Sequence, residues 1–173
     1  MTRKILVTVL AVATMIALQA APAHAVNGTV DRHQTTIVVD LTPDLSVPVS
    51  CPDAPFGFAL DVSSPSGTTV GSGRTCVKSL EGCDPFVAFC HRTVHATMTL
   101  DLRRGSLIVD LFLLEVLPTE ASFVQFGKGT VSGGTGDFAT ARGRIVGGGR
   151  GAFDDQLQFT GRLTYVAVLA GVS

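Results

Sequence analysis

Helix-forming stretches, basic clusters and tryptophan are all missing from this chain of 173 residues. Beyond residue 25 no segment carries a convincing helical repeat, which argues against the alternating strand–helix pattern of parallel α/β folds. The only basic pair is Arg103-Arg104, beside Gly105 at a turn, and no basic stripe accompanies it, so no nucleic-acid partner is expected. No serine sits in a G-x-S-x-G elbow, which removes the nucleophile motif of the α/β-hydrolases. No apolar run of roughly 18–20 residues follows residue 25, so no membrane-spanning helix is expected there. Ten phenylalanines, a single tyrosine and no tryptophan leave open whether the interior is filled by its own side chains.

The first residues have the pattern of a targeting segment. Arg3 and Lys4 give a positive start, Ile5 to Leu18 form an apolar stretch interrupted by Thr8 and Thr14, and Ala23-His24-Ala25 is a small-x-small cleavage site. A membrane anchor would need a longer run than this one, which breaks at Gln19 and Pro22. The expectation is a signal peptide over residues 1–25, a single domain over 26–173, and a secreted protein. His24 would leave with the peptide. Residues 26–173 keep 11 of the 13 basic and all 14 acidic side chains, a mild negative balance that serves solubility.

Cys51, Cys76, Cys83 and Cys90 all lie beyond the cleavage site, an even number for an oxidising compartment. A zinc site from Cys76, Cys83, Cys90 and His91 is the sharper alternative. Its six-residue gaps do not match the usual short ligand spacings, so disulfides are expected and no metal.

From Thr35 onward nearly everything has period two or is turn. Expected strands are Thr35–Leu41, closed by Pro43; Phe56–Val62; Thr68–Leu80; Phe86–Leu102; Ser106–Leu117, apolar on both faces; Ala121–Val131; Phe138–Val146, ending in Gly147-Gly148-Gly149; and Leu157–Leu169. Eight strands at hairpin spacing predict an all-β fold, an eight-stranded antiparallel up-and-down barrel. A hairpin centred on Glu81–Pro85 would set Cys76 opposite Cys90, leaving Cys51 and Cys83 to join two loops at one rim. That pairing is preferred, although four cysteines permit three connectivities.

Few residues announce chemistry. Gly134-Thr135-Gly136-Asp137-Phe138-Ala139 matches the G-x-G-x-x-A dinucleotide fingerprint, yet Gly143 and Gly147–Gly149 deny it the helix that would hold a pyrophosphate. No nucleotide or other cofactor is expected. His91 and His95 would stand roughly 13 Å apart on one strand face, too far to share a metal, and read as solvent-facing or packed. Asp110 and Glu115 interrupt an apolar strand at an odd separation, so one faces inward and the other outward. A carboxylate inside must find a partner; Arg142, Arg144 or Tyr165 are the candidates. Tyr165, on the apolar face of the last strand, also needs a partner for its hydroxyl.

Val131-Ser132-Gly133-Gly134-Thr135-Gly136-Asp137-Phe138-Ala139-Thr140-Ala141-Arg142-Gly143 resembles the GGTG-x-[FY]-x-x-A-[RT]-G corner of the allene oxide cyclase/dirigent-type barrels. Ala96–Leu102 with Gly105–Val109, and Thr160–Tyr165, resemble that family's paired strands and closing strand, and the cysteine-bearing segment resembles its bacterial-type exported relatives. The resemblance implies a barrel whose interior holds a small hydrophobic molecule, with cyclisation or orientation of that molecule as the activity. It also implies Asp137 and Arg142 as pocket-bordering residues. The cyclase's other polar catalytic groups have no counterpart here, so catalytic residues stay unassigned. The expected ligand-binding residues are Glu115, Asp137, Arg142 and Tyr165. The competing expectation is a non-catalytic extracellular protein with a side-chain-filled barrel.

Overall fold

A computed structural model describes residues 34–83 and 87–173, and the targeting segment expected over 1–25 lies outside them. Eight strands follow in order: β1 (Thr35–Pro48), β2 (Phe56–Ser63), β3 (Thr69–Gly82), β4 (Cys90–Leu102), β5 (Gly105–Leu117), β6 (Ser122–Gly134), β7 (Arg142–Phe153) and β8 (Phe159–Ala170). Each pairs antiparallel with the next, and β8 pairs back onto β1, closing the barrel. Closure gives every strand a neighbour on both sides, although β1 beyond Leu41 is paired with β2 alone. Among the described residues no helix is long and apolar enough to cross a membrane.

Alternation decides which side chains fill the interior. On β5, Leu107, Val109, Leu111, Leu113, Glu115 and Leu117 face inward, while Ile108, Asp110, Phe112, Leu114 and Val116 face outward. The same parity brings in Val94, Ala96, Met98 and Leu100 from β4, and Leu163, Tyr165, Ala167 and Leu169 from β8. Each such large apolar side chain contributes about 1.5–3 kcal/mol by leaving water.

The bounds of three strands shift most from those expected. β1 runs through Pro43 to Pro48; beyond Leu41 it is paired with β2 alone, an edge-like stretch of the kind in which proline is tolerated. β4 begins at Cys90; the expected start at Phe86 lies outside the described residues. β7 begins at Arg142 rather than at Phe138 and passes straight through Gly147–Gly149 to Phe153. Phe138 instead closes a 3₁₀ turn, Gly136–Phe138, in which Gly136 takes φ +57°. The glycine run can be strand because β6 and β8 hold it by hydrogen bonds on both sides.

The cysteines form two disulfides, Cys51–Cys76 and Cys83–Cys90. This overturns the preferred pairing of Cys76 with Cys90 and Cys51 with Cys83. The reason is register: Gly82 pairs with Arg92, so Cys76 sits opposite Thr97 and Cys90 lies beyond the paired region. Cys83 and Cys90 are left at the base of their own loop. Cys76 points away from the interior, between inward Thr75 and Val77, and the loop after β1 folds back to meet it.

Candidate functional site

The barrel has two unlike ends. At the end formed by the β2–β3, β4–β5 and β6–β7 connections, Leu107, Val131, Phe138, Ala141 and Leu169 are all fully buried and fill the interior. The 3₁₀ turn is tied down there: Arg104 Nε donates to Asp137, and Ser106 N donates to Thr135 Oγ1 at 3.0 Å. At the other end, near both disulfides, a cavity of about 280 Å³ runs inward. Leu60, Val77, Val94, Met98, Leu111, Leu113 and Leu163 make most of its wall, and exposed Phe56, Glu120 and Ala121 border its mouth.

One level of this wall is polar. Arg92, Glu115 and Gln125 are register partners across β4, β5 and β6, all with side chains directed inward. Arg92 Nε donates to Glu115 Oε2 at 2.6 Å, with the two side chains only 18 % and 10 % exposed. Gln125 Nε2 donates to the Tyr165 hydroxyl oxygen at 2.6 Å, although β7 lies between their strands. The glycines of β6 and β7 make that reach possible. A Cβ on Gly147 would lie 2.7 Å from Tyr165 Cδ1, and one on Gly127 would lie 3.1 Å from its hydroxyl oxygen. The ring therefore lies against bare backbone. Burial pushes the Tyr165 hydroxyl well above its ordinary pKa; the hydrogen bond from Gln125 opposes this and the nearby Glu115 charge adds to it.

Glu115 is thus the inward carboxylate, and Asp110 the outward one. The partner of Glu115 is Arg92, not Arg142, Arg144 or Tyr165 as expected. Removing either member would strand a charge in a largely buried site, which makes the pair a unit rather than a source of net stability. On the outer surface Asp110 accepts hydrogen bonds from Lys78 Nζ at 2.9 Å and lies 3.0 Å from His95 Nε2. The Lys78 hydrogen bond, with help from His95, holds its carboxyl below the usual range against a smaller opposing effect of burial. His95 also stacks on Phe112, and His91 is exposed. Among the described residues no three His, Cys, Asp or Glu side chains converge as a metal would require.

The structure brings Glu115 and Tyr165 together at the cavity and leaves Asp137 and Arg142 out of it. Asp137 pairs with Arg104 at the filled end, and exposed Arg142 donates to the Ala141 carbonyl at 2.8 Å. The assignment of these two to the pocket is corrected on that geometry: neither lines the cavity, and Phe138 and Ala141 beside them are buried. Arg92 and Gln125 were missed. Their signal was parity, since Arg92 shares the inward register of Val94, Ala96 and Met98, and Gln125 that of Phe123. Comparison with protein families, with curated proteins and with solved structures finds no match for this chain.

Proposed function

We propose that this protein is an exported barrel that shelters a small hydrophobic molecule in its interior, as an allene oxide cyclase/dirigent-type relative. The observation that carries the reading is the cavity of about 280 Å³, walled largely by leucine, valine and methionine, with exposed Phe56, Glu120 and Ala121 at its mouth. An apolar recess with a few convergent polar groups is the usual form of a small-molecule site, and the volume lies just below the usual range of about 300–1,000 Å³ for such sites. Two disulfides beside the mouth fit an oxidising compartment and brace the loops that a ligand would pass. The filled end supports the competing reading only for half of the barrel. The activity this geometry serves is confinement: apolar walls hold a flexible molecule in one shape and exclude water, with the polar row steering one part of it.

Native mass spectrometry of protein recovered from its own culture medium tests the reading, together with titration by the neutral dye N-phenyl-1-naphthylamine. A retained apolar mass, or dye binding that Ala121→Trp at the mouth abolishes, is the expected result. Protein that carries nothing and leaves the dye in water would end the proposal.

A further inference from the structure

Resting on that reading, we infer that the ligand bears a neutral oxygen, a carbonyl or hydroxyl, seated at the level of Arg92, Glu115, Gln125 and Tyr165, and that carboxylates are refused.

The first argument counts hydrogens. A glutamine amide carries two N–H donors and tyrosine one O–H donor. The bond between Gln125 and Tyr165 consumes one of these three. The count holds with the amide turned over, because tyrosine would then donate to Gln125 Oε1 and both N–H groups would remain. Two donors are left on a unit that faces an apolar void, together with the Nη groups of Arg92, whose Nε is engaged by Glu115. Donors set in a mostly apolar, partly enclosed wall are worth more to an arriving acceptor than donors in open water, because the low local dielectric strengthens the bond.

Charge supplies the second argument. The ionisable side chains of the cavity wall are Arg92, Glu115 and Glu120 at the mouth, together with Tyr165 in its neutral form. One positive and two negative charges leave the wall net negative, and Arg92 is already matched by the carboxylate at 2.6 Å. A carboxylate ligand would lose its hydration and meet Glu115 beside the only cation. A neutral oxygen loses little hydration, accepts from Tyr165 or Gln125, and, if a hydroxyl, can donate to Glu115.

Three bicyclic probes of similar body separate these outcomes: tetralin, 2-tetralone and tetralin-2-carboxylate, each titrated into the protein by calorimetry. One hydrogen bond predicts that the ketone binds about fivefold to tenfold tighter than the hydrocarbon. The carboxylate is expected to bind at least about tenfold more weakly than the ketone. Tyr165→Phe, which keeps the ring, should bring the ketone-to-hydrocarbon ratio down to about twofold. Gln125→Met should lower the same ratio if Tyr165→Phe proves unstable. Equal binding of tetralin and tetralone, or tightest binding of the carboxylate, would overturn the inference and leave the sheltering function standing. Failure of all three probes to bind would remove both.

Discussion

The same eight strands finish in opposite ways at the barrel's two ends, and the contrast follows from which residues occupy inward positions. At the filled end they are Leu107, Val131, Ala167 and Leu169, capped by Phe138 from a 3₁₀ turn. At the other end Arg92, Glu115 and Gln125 take inward positions, and the glycines of β6 and β7 contribute no side chain at all. An interior of this size can be filled by side chains or can hold one small molecule. Here half of it does the first, and the other half leaves room for the second. Packing defines one end; covalent bonds brace the other, where both disulfides lie.

The most direct way to break the comparison is to make the same truncation in both halves. Leu107→Ala at the filled end should cost about 4 kcal/mol, because its neighbours surround it and cannot close the space. Leu113→Ala, beside the cavity, should cost only about 2 kcal/mol, since that side chain already lacks partners on one side. Urea midpoints of the two variants supply the check, and equal costs would mean that the cavity half is packed as tightly as the other.

Removing the disulfides sharpens the contrast with a slightly smaller effect. Loop closure over a separation of 25 residues makes loss of Cys51–Cys76 cost about 3.5 kcal/mol, and the 7-residue separation of Cys83–Cys90 about 2.4 kcal/mol. Serine replacements of each pair, compared by denaturation, should show that order. Amide exchange at Ser106 and Thr135 should stay close to the parent in its native-state openings, because neither bridge touches that end.

The smallest effect concerns the outer wall. Asp110 has its carboxyl held below 3.8 by Lys78 and then His95, so its contribution is fully present above the unfolded value and is lost as pH falls through the lowered folded value. Being solvent-exposed, the pair is worth less than about 0.5 kcal/mol, and Asp110→Asn should change stability at neutral pH by no more than that. Carboxyl-carbon NMR across pH 2–6 reads the titration directly; an Asp110 midpoint at or above about 4 would contradict the assignment.

Much of the fold was legible because period-two alternation and turn residues are local signals. β2, β3, β5 and β8 emerge within a residue or two of their expected bounds. What misled was also local. Gly147–Gly149 reads as a stop in isolation, and only ladders on both sides make it strand. Two adjoining sixes in the cysteine spacing suggested a symmetric hairpin, whereas the register that places Cys76 opposite Thr97 depends on the whole β3–β4 ladder and its bulge between Val77 and Ser79. For the site, parity set Asp110 and Glu115 on opposite faces without choosing the inner one, and put Tyr165 on the apolar face of β8. The resemblance placed Asp137 and Arg142 by motif, and the motif sits at the end that Phe138 closes.

By itself the sequence determined an all-β chain of eight antiparallel strands, which side chains share a face, and that four cysteines are available to cross-link. Those properties depend on neighbours one to four residues away. Tertiary structure alone decided the disulfide partners, the union of Arg92 with Glu115, and the meeting of Gln125 with Tyr165 across a glycine-bearing strand. Each of these joins residues on different strands, so each depends on register and closure, quantities that no local stretch of chain contains.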